Sequence, residues 1–375
     1  MKIITATVVL FIFYMVQKLL YRYYWYRGLD VDCRFDREYI ECGEKACLIE
    51  TIENDKVLPL PVFHVKFSID KSLVFTEKEN AVVTDYYHKN EVFSVLGHQR
   101  VTRRLEFTGT RRGVMSIQNL SVLVKDLFMT DQEGAMLPAP DSIYVYPAKL
   151  GTDRFRYFYR GIFGSTEIRK AYIEDPLIFR GVREYRPGDA YRSINWKQTA
   201  RCQGSPMVNV YGYSMDSRVK ILLNLDTDYM IETNKLLEEA ISLASSFARD
   251  LTSAGVSVAL ITNALAADKS SIVPVDFGTG KPHMNVIDRS LTEIAGSEGK
   301  DAFMRFLEAE LAAGRGESDT MYLVISPYHK DDMLGMLDRI ESTGNVVRLV
   351  VPYYDEFPYH PDRPYAYGWE VMLGV

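Results

Sequence analysis

The first apolar stretch of the chain lies at its N-terminus, where Ile3 to Val16 is uncharged and mostly apolar. Counting on to Trp25 gives about the twenty residues that a membrane-spanning helix needs. Lys18 and Arg22 interrupt the second half, but both side chains are long enough to reach lipid headgroups. The Tyr and Trp residues that follow are typical of a membrane interface. Residues 1–28 are therefore predicted to form one transmembrane anchor.

A cleaved signal peptide is the alternative interpretation of this stretch. Signal peptides end in small residues of the A-x-A type, whereas aromatic and basic residues follow the apolar run here. Membrane proteins keep more Lys and Arg on the cytoplasmic side, and these residues lie mainly after the span. The pattern therefore predicts a single-pass protein of the cell membrane with a cytoplasmic body. The basic residues concerned are Lys18, Arg22, Arg27, Arg34 and Arg37, against Lys2 before the span.

From residue 29 to 150 the chain alternates short apolar runs with Gly, Asn, Asp and Pro. Regular short strands of this kind are typical of a β-sandwich, and we predict an immunoglobulin-like one. The clearest strands are Ala46–Ile52, Val62–Ile69, Val101–Phe107 and Val114–Val124.

Residues 218–352 change to apolar strands that alternate with amphipathic helices. This rhythm predicts a Rossmann-like α/β domain with a parallel sheet covered on both faces. The predicted strands are Val219–Leu225, Val256–Thr262, Ile272–Val275, Met321–Ile325 and Val346–Val351, and the helices are Ile231–Ser253, Ala302–Ala313 and Asp331–Ser342. A tail of residues 353–375 follows, which we expect to pack on the body as a strap.

The connecting segment, residues 151–217, contains the sequence DPLIFRGVREYRPGDAYRSINWKQTAR, which is too rich in Arg, Tyr and Trp for a linker. Asp189 is placed to cap a short helix over Ala190–Ala200. One interpretation is an ion-pair network that locks the two domains together, and the other is a docking surface for a partner. The charged residues of that network would be Arg183, Glu184, Arg186, Asp189, Arg192 and Arg201.

Composition and net charge exclude some classes of protein. Hydrophobic residues make up 47% of the 375 and charged residues 25%, which describes a chain that folds. The net charge of −6 argues against general nucleic-acid binding, which needs a basic face. Cys33, Cys42, Cys47 and Cys202 lack zinc-site spacing, and they are interpreted as thiols of a reducing compartment. A Cys42–Cys47 or Cys33–Cys42 disulfide is the alternative.

The segment before the α/β domain strongly resembles the signature of the domain of unknown function 58 family. That signature reads approximately R-x-Y-x-P-G-D-x-x-R-x-I-x-W-x-x-x-A-R. The resemblance extends to Arg111-Arg112-Gly113, Asp126-Leu127-Phe128 and Val145-Tyr146-Pro147. The matching signature residues are Arg183, Tyr185, Pro187, Gly188, Asp189, Arg192, Ile194, Trp196, Ala200 and Arg201.

The resemblance implies a membrane-anchored protein with a β-domain and a von Willebrand factor type A-like domain, associated with AAA+ ATPases of the MoxR type in bacteria. Such proteins look like adaptors or assembly factors. Members commonly carry two N-terminal spans, and the single span here departs from that pattern. The implied partners are a MoxR-type ATPase and other membrane proteins.

Type A-like domains that bind Mg²⁺ place D-x-S-x-S after the first strand, because a carboxylate and hydroxyls are hard ligands. Here Asp226 holds the first position, but Asp228 and Met230 replace the two serines. A thioether is a poor ligand for a hard cation. Pro327 stands where a later acid is often found. We therefore expect a degenerate metal-ion-dependent adhesion site and no cofactor, with Asp226 and Asp228 as the weak candidates for a metal.

No nucleophile elbow, phosphate loop or paired His motif occurs, so no catalytic residue is predicted. Gly278 to Lys281 is too short for a phosphate loop and is interpreted as a turn. The sequence thus favours a non-enzymatic adaptor that works through protein contacts. The alternative is an extracytoplasmic, cation-dependent ligand binder of the adhesion type.

Overall fold

The computed structural model describes residues 2–77, 81–83, 86–138, 141–151, 153–163, 174–185, 194–201, 206–213, 218–227, 233–313 and 320–372. The chain divides into two compact units, Met1–Ala148 and Lys149–Val375. Buried apolar clusters lie within each unit, so each has a hydrophobic core of its own.

The predicted N-terminal helix is present as α1, Lys2–Tyr24, and it is long and apolar enough to cross a membrane. Most of its apolar side chains are exposed. Gln17 and Tyr21 are buried instead, because this part of α1 packs against the β-strands of the same unit. The Tyr21 hydroxyl donates a hydrogen bond of 2.7 Å to the Pro59 carbonyl.

The described strands of the first unit form sheets consistent with the predicted β-sandwich. Their hydrogen-bonded orders are β1-β3-β8-β5, β11-β10-β4-β7-β6 and β2-β12-β9. The strands are β1 Leu29–Phe35, β2 Tyr39–Glu41, β3 Lys45–Asn54, β4 Leu60–Asp70, β5 Leu73–Phe75, β6 Ala81–Val83, β7 Tyr86–Val95, β8 Gln99–Gly109, β9 Gly113–Ser116, β10 Gln118–Lys125, β11 Gln132–Met136 and β12 Ser142–Tyr146.

Alternation along these strands builds the core of the first unit. Leu48 and Ile52 on β3, Phe63 on β4, Phe107 on β8 and Val122 on β10 are fully buried in one cluster. Successive side chains of a strand point to opposite faces, so these residues lie on the inner faces of the sheets.

Charged side chains are buried among these apolar ones. Glu50 lies between Leu48 and Ile52 on the inward face of β3 and is fully buried, although neither of its oxygens has a hydrogen-bond partner in the described structure. Buried Lys89 contacts buried Glu91 over 3.1 Å, and Arg103 contacts the other Glu91 oxygen over 2.6 Å. Burial, together with the Glu91 charge, raises the pKa of Glu50 to about 8.

In the second unit, the described strands and helices alternate as predicted after residue 218. The helices are α2 Asp153–Phe163, α3 Trp196–Thr199, α4 Thr233–Ser253, α5 Gly280–Glu293, α6 Lys300–Ala313 and α7 Asp331–Ser342. The strands are β13 Glu174–Glu184, β14 Met207–Tyr213, β15 Arg218–Leu223, β16 Ser257–Thr262, β17 Ala264–Ala266, β18 Val275–Gly278, β19 Ile294–Ser297, β20 Thr320–Ile325, β21 Val346–Tyr354 and β22 Ala366–Val371.

The large sheet of this unit has the order β18-β16-β15-β20-β21-β22. Neighbours from β16 to β22 pair in parallel, as predicted, and β18 is antiparallel to β16. The apolar stripe of α4 is buried as expected, with Leu236, Ala240 and Phe247 fully inaccessible. The second unit is therefore a mixed α/β body with a mainly parallel sheet.

Two details of the predicted order were wrong. The strand predicted over Ile272–Val275 begins only at Val275, because Pro274 has no amide hydrogen to donate to a neighbouring strand. Helix α5 was missed. Gly280, with a φ of 80°, turns the chain into it, and Met284 and Ile287 are buried on one face.

The predicted tail contributes a strand to the sheet. Within it, β22 pairs in parallel with β21, from Leu349↔Ala366 to Tyr354↔Val371. Trp369 is buried against Phe155 and Phe158 of α2, with ring centroids 6.3 and 5.0 Å apart. The sheet therefore extends beyond residue 352.

Candidate functional site

The carboxyl ends of the parallel strands β15, β16 and β20 meet at one edge of the sheet, and polar residues follow each of them. Asn224 and Asp226 come after β15, Asn263 comes after β16 and Ser326 comes after β20. Open α/β sheets bind ligands outside the carboxyl ends of their strands, so this edge is a candidate site.

Hydrogen bonds join these residues into a network. The Asn224 amide donates to the Ser326 hydroxyl over 2.9 Å, and the Ser326 hydroxyl donates to the Tyr328 carbonyl over 2.6 Å. The Asn263 amide donates to the Asn224 side-chain oxygen over 2.8 Å, and the Leu225 N–H donates to the Asn263 oxygen over 3.0 Å. Asn224, Asn263 and Ser326 are buried, which makes the network a fixed part of the fold.

Asp226 lies at the partly exposed margin of this network. One carboxylate oxygen accepts a hydrogen bond of 2.9 Å from the Asn263 amide, and the other accepts one of 2.8 Å from the Ser297 hydroxyl. The Gly299 N–H donates to that hydroxyl over 3.1 Å. Each carboxylate oxygen of Asp226 thus accepts a hydrogen bond from a protein donor.

The described donors around Asp226 differ from the usual ligands of a magnesium site. Mg²⁺ is usually held by carboxylates and water in octahedral geometry, whereas Asp226 faces an amide N–H and a hydroxyl proton. The described residues contain no group of three or more His, Cys, Asp or Glu side chains placed to share a metal ion. Asp228, the second predicted candidate, lies outside the described residues.

Sequence reasoning selected Asp226 but missed Asn224, Asn263 and Ser297. A signal was available for the asparagines, because each follows an apolar strand directly, in the sequences ILLN and LITN. Ser297 carries no comparable signal, since it ends the short strand β19, which is paired with β17.

The signature residues frame a hairpin of β13 and β14. Arg183 pairs with Val208 across it, and the Tyr185 N–H donates to the Pro206 carbonyl over 2.7 Å. The Arg183 guanidinium donates to the Glu184 carbonyl over 3.0 Å. Four of the predicted interface residues, Pro187, Gly188, Asp189 and Arg192, lie outside the described residues, as does Arg186.

The short helix of the signature differs from the prediction over Ala190–Ala200. Ile194 forms a β-bridge with Val208, so the chain is extended there, and α3 begins only at Trp196. Asn195 caps it, since its side-chain oxygen accepts from the Gln198 N–H over 3.0 Å. Residues 190–193 lie outside the described part of the chain.

Trp196 is the first residue of α3, and 70% of its surface is exposed. Hydrogen bonds to β14 hold the segment around Trp196 in place. The Asn195 amide donates to the Asn209 side-chain oxygen over 2.6 Å, and the Met207 N–H donates to the Thr199 hydroxyl over 2.9 Å. Arg201, two residues after the helix, is also exposed.

Comparisons with known proteins point to a family without an assigned function. Residues 181–360 match the model of the family described as "Protein of unknown function DUF58". The uncharacterized protein YeaD of Bacillus subtilis (strain 168) is 20% identical over 331 residues, which cover 87% of this chain and 76% of YeaD.

Likenesses to solved structures are partial. The CARDB domain of a Pyrococcus furiosus protein, in complex with di-metal ions, matches with 14% identity and a TM-score of 0.21, over 32% of this chain and 96% of that domain. The sporulation control protein Spo0M from Bacillus subtilis matches with 11% identity and a TM-score of 0.19, over 42% of this chain and 58% of Spo0M.

The matched segment 181–360 begins in the β13–β14 hairpin and includes both exposed Trp196 and the sheet edge around Asp226. The signature that the sequence resembles and the family model therefore agree on the same residues. Over residues 181–360 the chain is thus similar to the DUF58 family.

Proposed function

We propose that this protein is a membrane-anchored, non-enzymatic adaptor or assembly factor that works with a MoxR-type AAA+ ATPase through protein contacts. In this proposal α1 anchors the protein in the cell membrane. The body lies in the cytoplasm, on the side where Lys18, Arg22, Arg27 and Arg34 follow the apolar run. The signature hairpin holds the partner.

The proposal includes a finer description of the fold. The order of parallel strands in the large sheet, with α4 and α7 packed against it, supports a von Willebrand factor type A-like domain. The antiparallel sheets of the first unit support an immunoglobulin-like sandwich. Both folds are common carriers of protein interfaces, although a fold alone does not fix a function.

The single observation that carries the proposed function is the exposure of Trp196. Trp, Tyr and Arg dominate the binding energy of protein interfaces, and a Trp with 70% of its surface in water leaves a large apolar area uncovered. Because capping by Asn195 and the hairpin hold α3 in place, Trp196 is presented at little entropic cost.

The surroundings of the histidines support a non-enzymatic role. The His283 ring donates to the Val258 carbonyl over 2.7 Å, and the His329 ring donates to the Pro327 carbonyl over 2.9 Å. His64 and His88 bond to Asn90 and Ser68 on neighbouring strands. Three of these partners are carbonyl or amide oxygens, which are not nucleophiles, and Ser68, whose hydroxyl lies 2.9 Å from His88, is buried away from any substrate.

Crosslinking in the native membrane, followed by mass spectrometry of the captured proteins, tests the function. We expect a tagged wild-type protein to capture an AAA+ ATPase, and Trp196→Ala to reduce its recovery at least several-fold. Tyr157→Ala is the matched control, because Tyr157 lies in the same unit with 83% of its surface exposed and outside the signature. Equal recovery by all three proteins would contradict the assigned surface.

Capture of cell-surface or cell-wall material in place of an ATPase would overturn the adaptor proposal and favour the cation-dependent ligand binder. A reporter fused to the C-terminus separates the two functions independently, since they need opposite orientations of the body.

A further inference from the structure

The loop between β10 and β11, residues 126–131, carries large apolar side chains at its tip. Leu127, Phe128 and Met129 have 45%, 49% and 61% of their surfaces exposed. Contiguous exposed apolar side chains of this size mark interaction sites in soluble proteins, and so a binding partner is expected at this tip.

The loop is ordered by the carboxylate at its base. Buried Asp126 accepts hydrogen bonds from the Thr130 N–H over 2.6 Å and from the Asp131 N–H over 3.2 Å. The Met129 N–H donates to the Asp126 carbonyl over 2.9 Å, and Met129 has a φ of 58°, which is uncommon for a residue with a side chain. These hydrogen bonds define a turn that keeps the apolar side chains of the tip exposed to solvent.

The same loop is joined to α1. The Gln17 amide donates to the Asp126 carboxylate over 2.9 Å, and the Lys18 ammonium lies 3.0 Å from the Asp131 carboxylate. The Phe128 ring lies 6.2 Å from the ring of Phe13. A second ring contact, with Tyr14, measures 6.0 Å.

The residues of α1 that the loop contacts show how far each part of the loop lies along the helix. The two carboxylates of the loop base contact Gln17 and Lys18, whereas the Phe128 ring contacts Phe13 and Tyr14, about four residues closer to the N-terminus. The Tyr14 hydroxyl also reaches back to donate to the Thr130 hydroxyl over 3.2 Å. At 1.5 Å of rise per residue, the offset of about four residues places the Phe128 contact roughly 6 Å further into the uncharged run Ile3–Val16. The polar and apolar parts of the loop thus follow the polar and apolar parts of the helix.

We propose that Leu127, Phe128 and Met129 insert into the lipid bilayer beside α1. This inference rests on the membrane anchoring proposed above. Asp126, Thr130 and Asp131 then lie at the headgroup level, and the tip reaches the boundary with the acyl chains, a depth of about 5–10 Å typical of interfacial elements. Insertion adds a second attachment point to α1 and fixes the sandwich against the membrane surface.

A photo-crosslinking side chain tests the insertion. The full-length protein, with p-benzoylphenylalanine in place of Phe128, is reconstituted in vesicles of phosphatidylethanolamine and phosphatidylglycerol with radiolabelled acyl chains, and it is irradiated. The same replacement at Phe11, 58% exposed on α1, reports on the anchoring alone. Met136 is the matched control, since it is 73% exposed and lies at the far end of β11. This position is about 13 Å along the strand from Gln132, the residue that directly follows the loop.

We expect lipid adducts at position 128 with a yield comparable to that at position 11, and several-fold less at position 136. Labelling at position 11 without labelling at position 128 would overturn the insertion and leave the anchoring intact. Adducts of position 128 with a second protein chain would overturn it in favour of a protein partner. If position 11 itself fails to label lipid, the anchoring is wrong, and the insertion falls with it.

Discussion

The Asn263 amide nitrogen lies 2.9 Å from a carboxylate oxygen of Asp226, at the carboxyl edge of the large parallel sheet. The same amide nitrogen lies 2.8 Å from the Asn224 side-chain oxygen. Asn263 therefore joins the ends of β15 and β16 through hydrogen bonds, and at Asp226 it places the positive end of an N–H dipole against the carboxylate.

Asn263→Asp replaces that amide with a carboxylate. The substitution brings a second negative charge to within hydrogen-bond distance of Asp226 and removes the donor shared with Asn224. We expect it to lower the free energy of unfolding by about 2–4 kcal/mol at neutral pH, since a buried hydrogen bond is lost and like charges face each other. Millimolar Mg²⁺ should restore part of this loss, because two carboxylates form a hard-cation site. Thermal unfolding with and without Mg²⁺ measures both effects.

Asn263→Ala is the matched control for that variant. It loses the donated hydrogen bonds and also the one accepted from the Leu225 N–H, but it gains no carboxylate, so we expect it to be destabilised without rescue by Mg²⁺. The wild-type protein should unfold at the same temperature with and without the cation. A clear rise in the wild-type unfolding temperature in Mg²⁺ would show that Asp226 binds the cation despite its hydrogen bonds.

Most strands of the large sheet could be predicted from the sequence, but the hydrogen bonds at its edge could not. Apolar runs predicted these strands, because a central parallel strand must be hydrophobic throughout. They could not predict that Asn263 would face Asp226, since that meeting depends on the register of β15 against β16. Glu50 was missed for a related reason, because a charged residue inside an alternating strand looks like an outward-facing position until its neighbours on other strands are known.

Cys33 should be the least reactive of the described thiols. It is fully buried on β1, and burial, followed by the charges of Glu50 and Asp32, raises the pKa of its thiol far above its ordinary value. Cys42 and Cys47 are partly exposed. We expect N-ethylmaleimide to modify Cys42 and Cys47 in the folded protein and Cys33 only after denaturation, as mapped by peptide mass spectrometry. Equal labelling of Cys33 and Cys47 before denaturation would contradict its burial.

Trp369 should be essential for the stability of the second unit. Its ring packs on Phe158, the Arg154 guanidinium lies 4.4 Å from its centroid, and its N–H donates to Glu239 over 2.9 Å. Trp369→Ala should cost about 3–5 kcal/mol, as for other buried aromatic residues. Tyr157→Ala, on the exposed side of α2, should change stability by less than about 0.5 kcal/mol. Equal effects of the two variants in urea unfolding would show that β22 contributes little.

Glu50 makes the stability of the first unit depend on pH. Its pKa is about 8 in the folded protein, against an ordinary value of 4.5, because burial and the Glu91 charge disfavour the ionised form. Between these two pH values the folded protein holds a proton that the unfolded chain releases. The stability that Glu50 contributes is therefore fully present below pH 4.5 and is lost as the pH rises to about 8.

Glu50→Gln removes this dependence, because glutamine has a similar shape and does not ionise. We expect the variant to be more stable than the wild type at pH 8.5, by an amount on the order of 2–4 kcal/mol, and nearly equal to it at pH 5. Glu53→Gln is the control on the same strand. Its carboxylate is 51% exposed and lies 3.9 Å from Arg100, so its effect should be small and almost constant over this range. Urea unfolding at a series of pH values measures both variants. A difference between wild type and Glu50→Gln that stays constant from pH 5 to pH 8.5 would show that Glu50 does not titrate in this window.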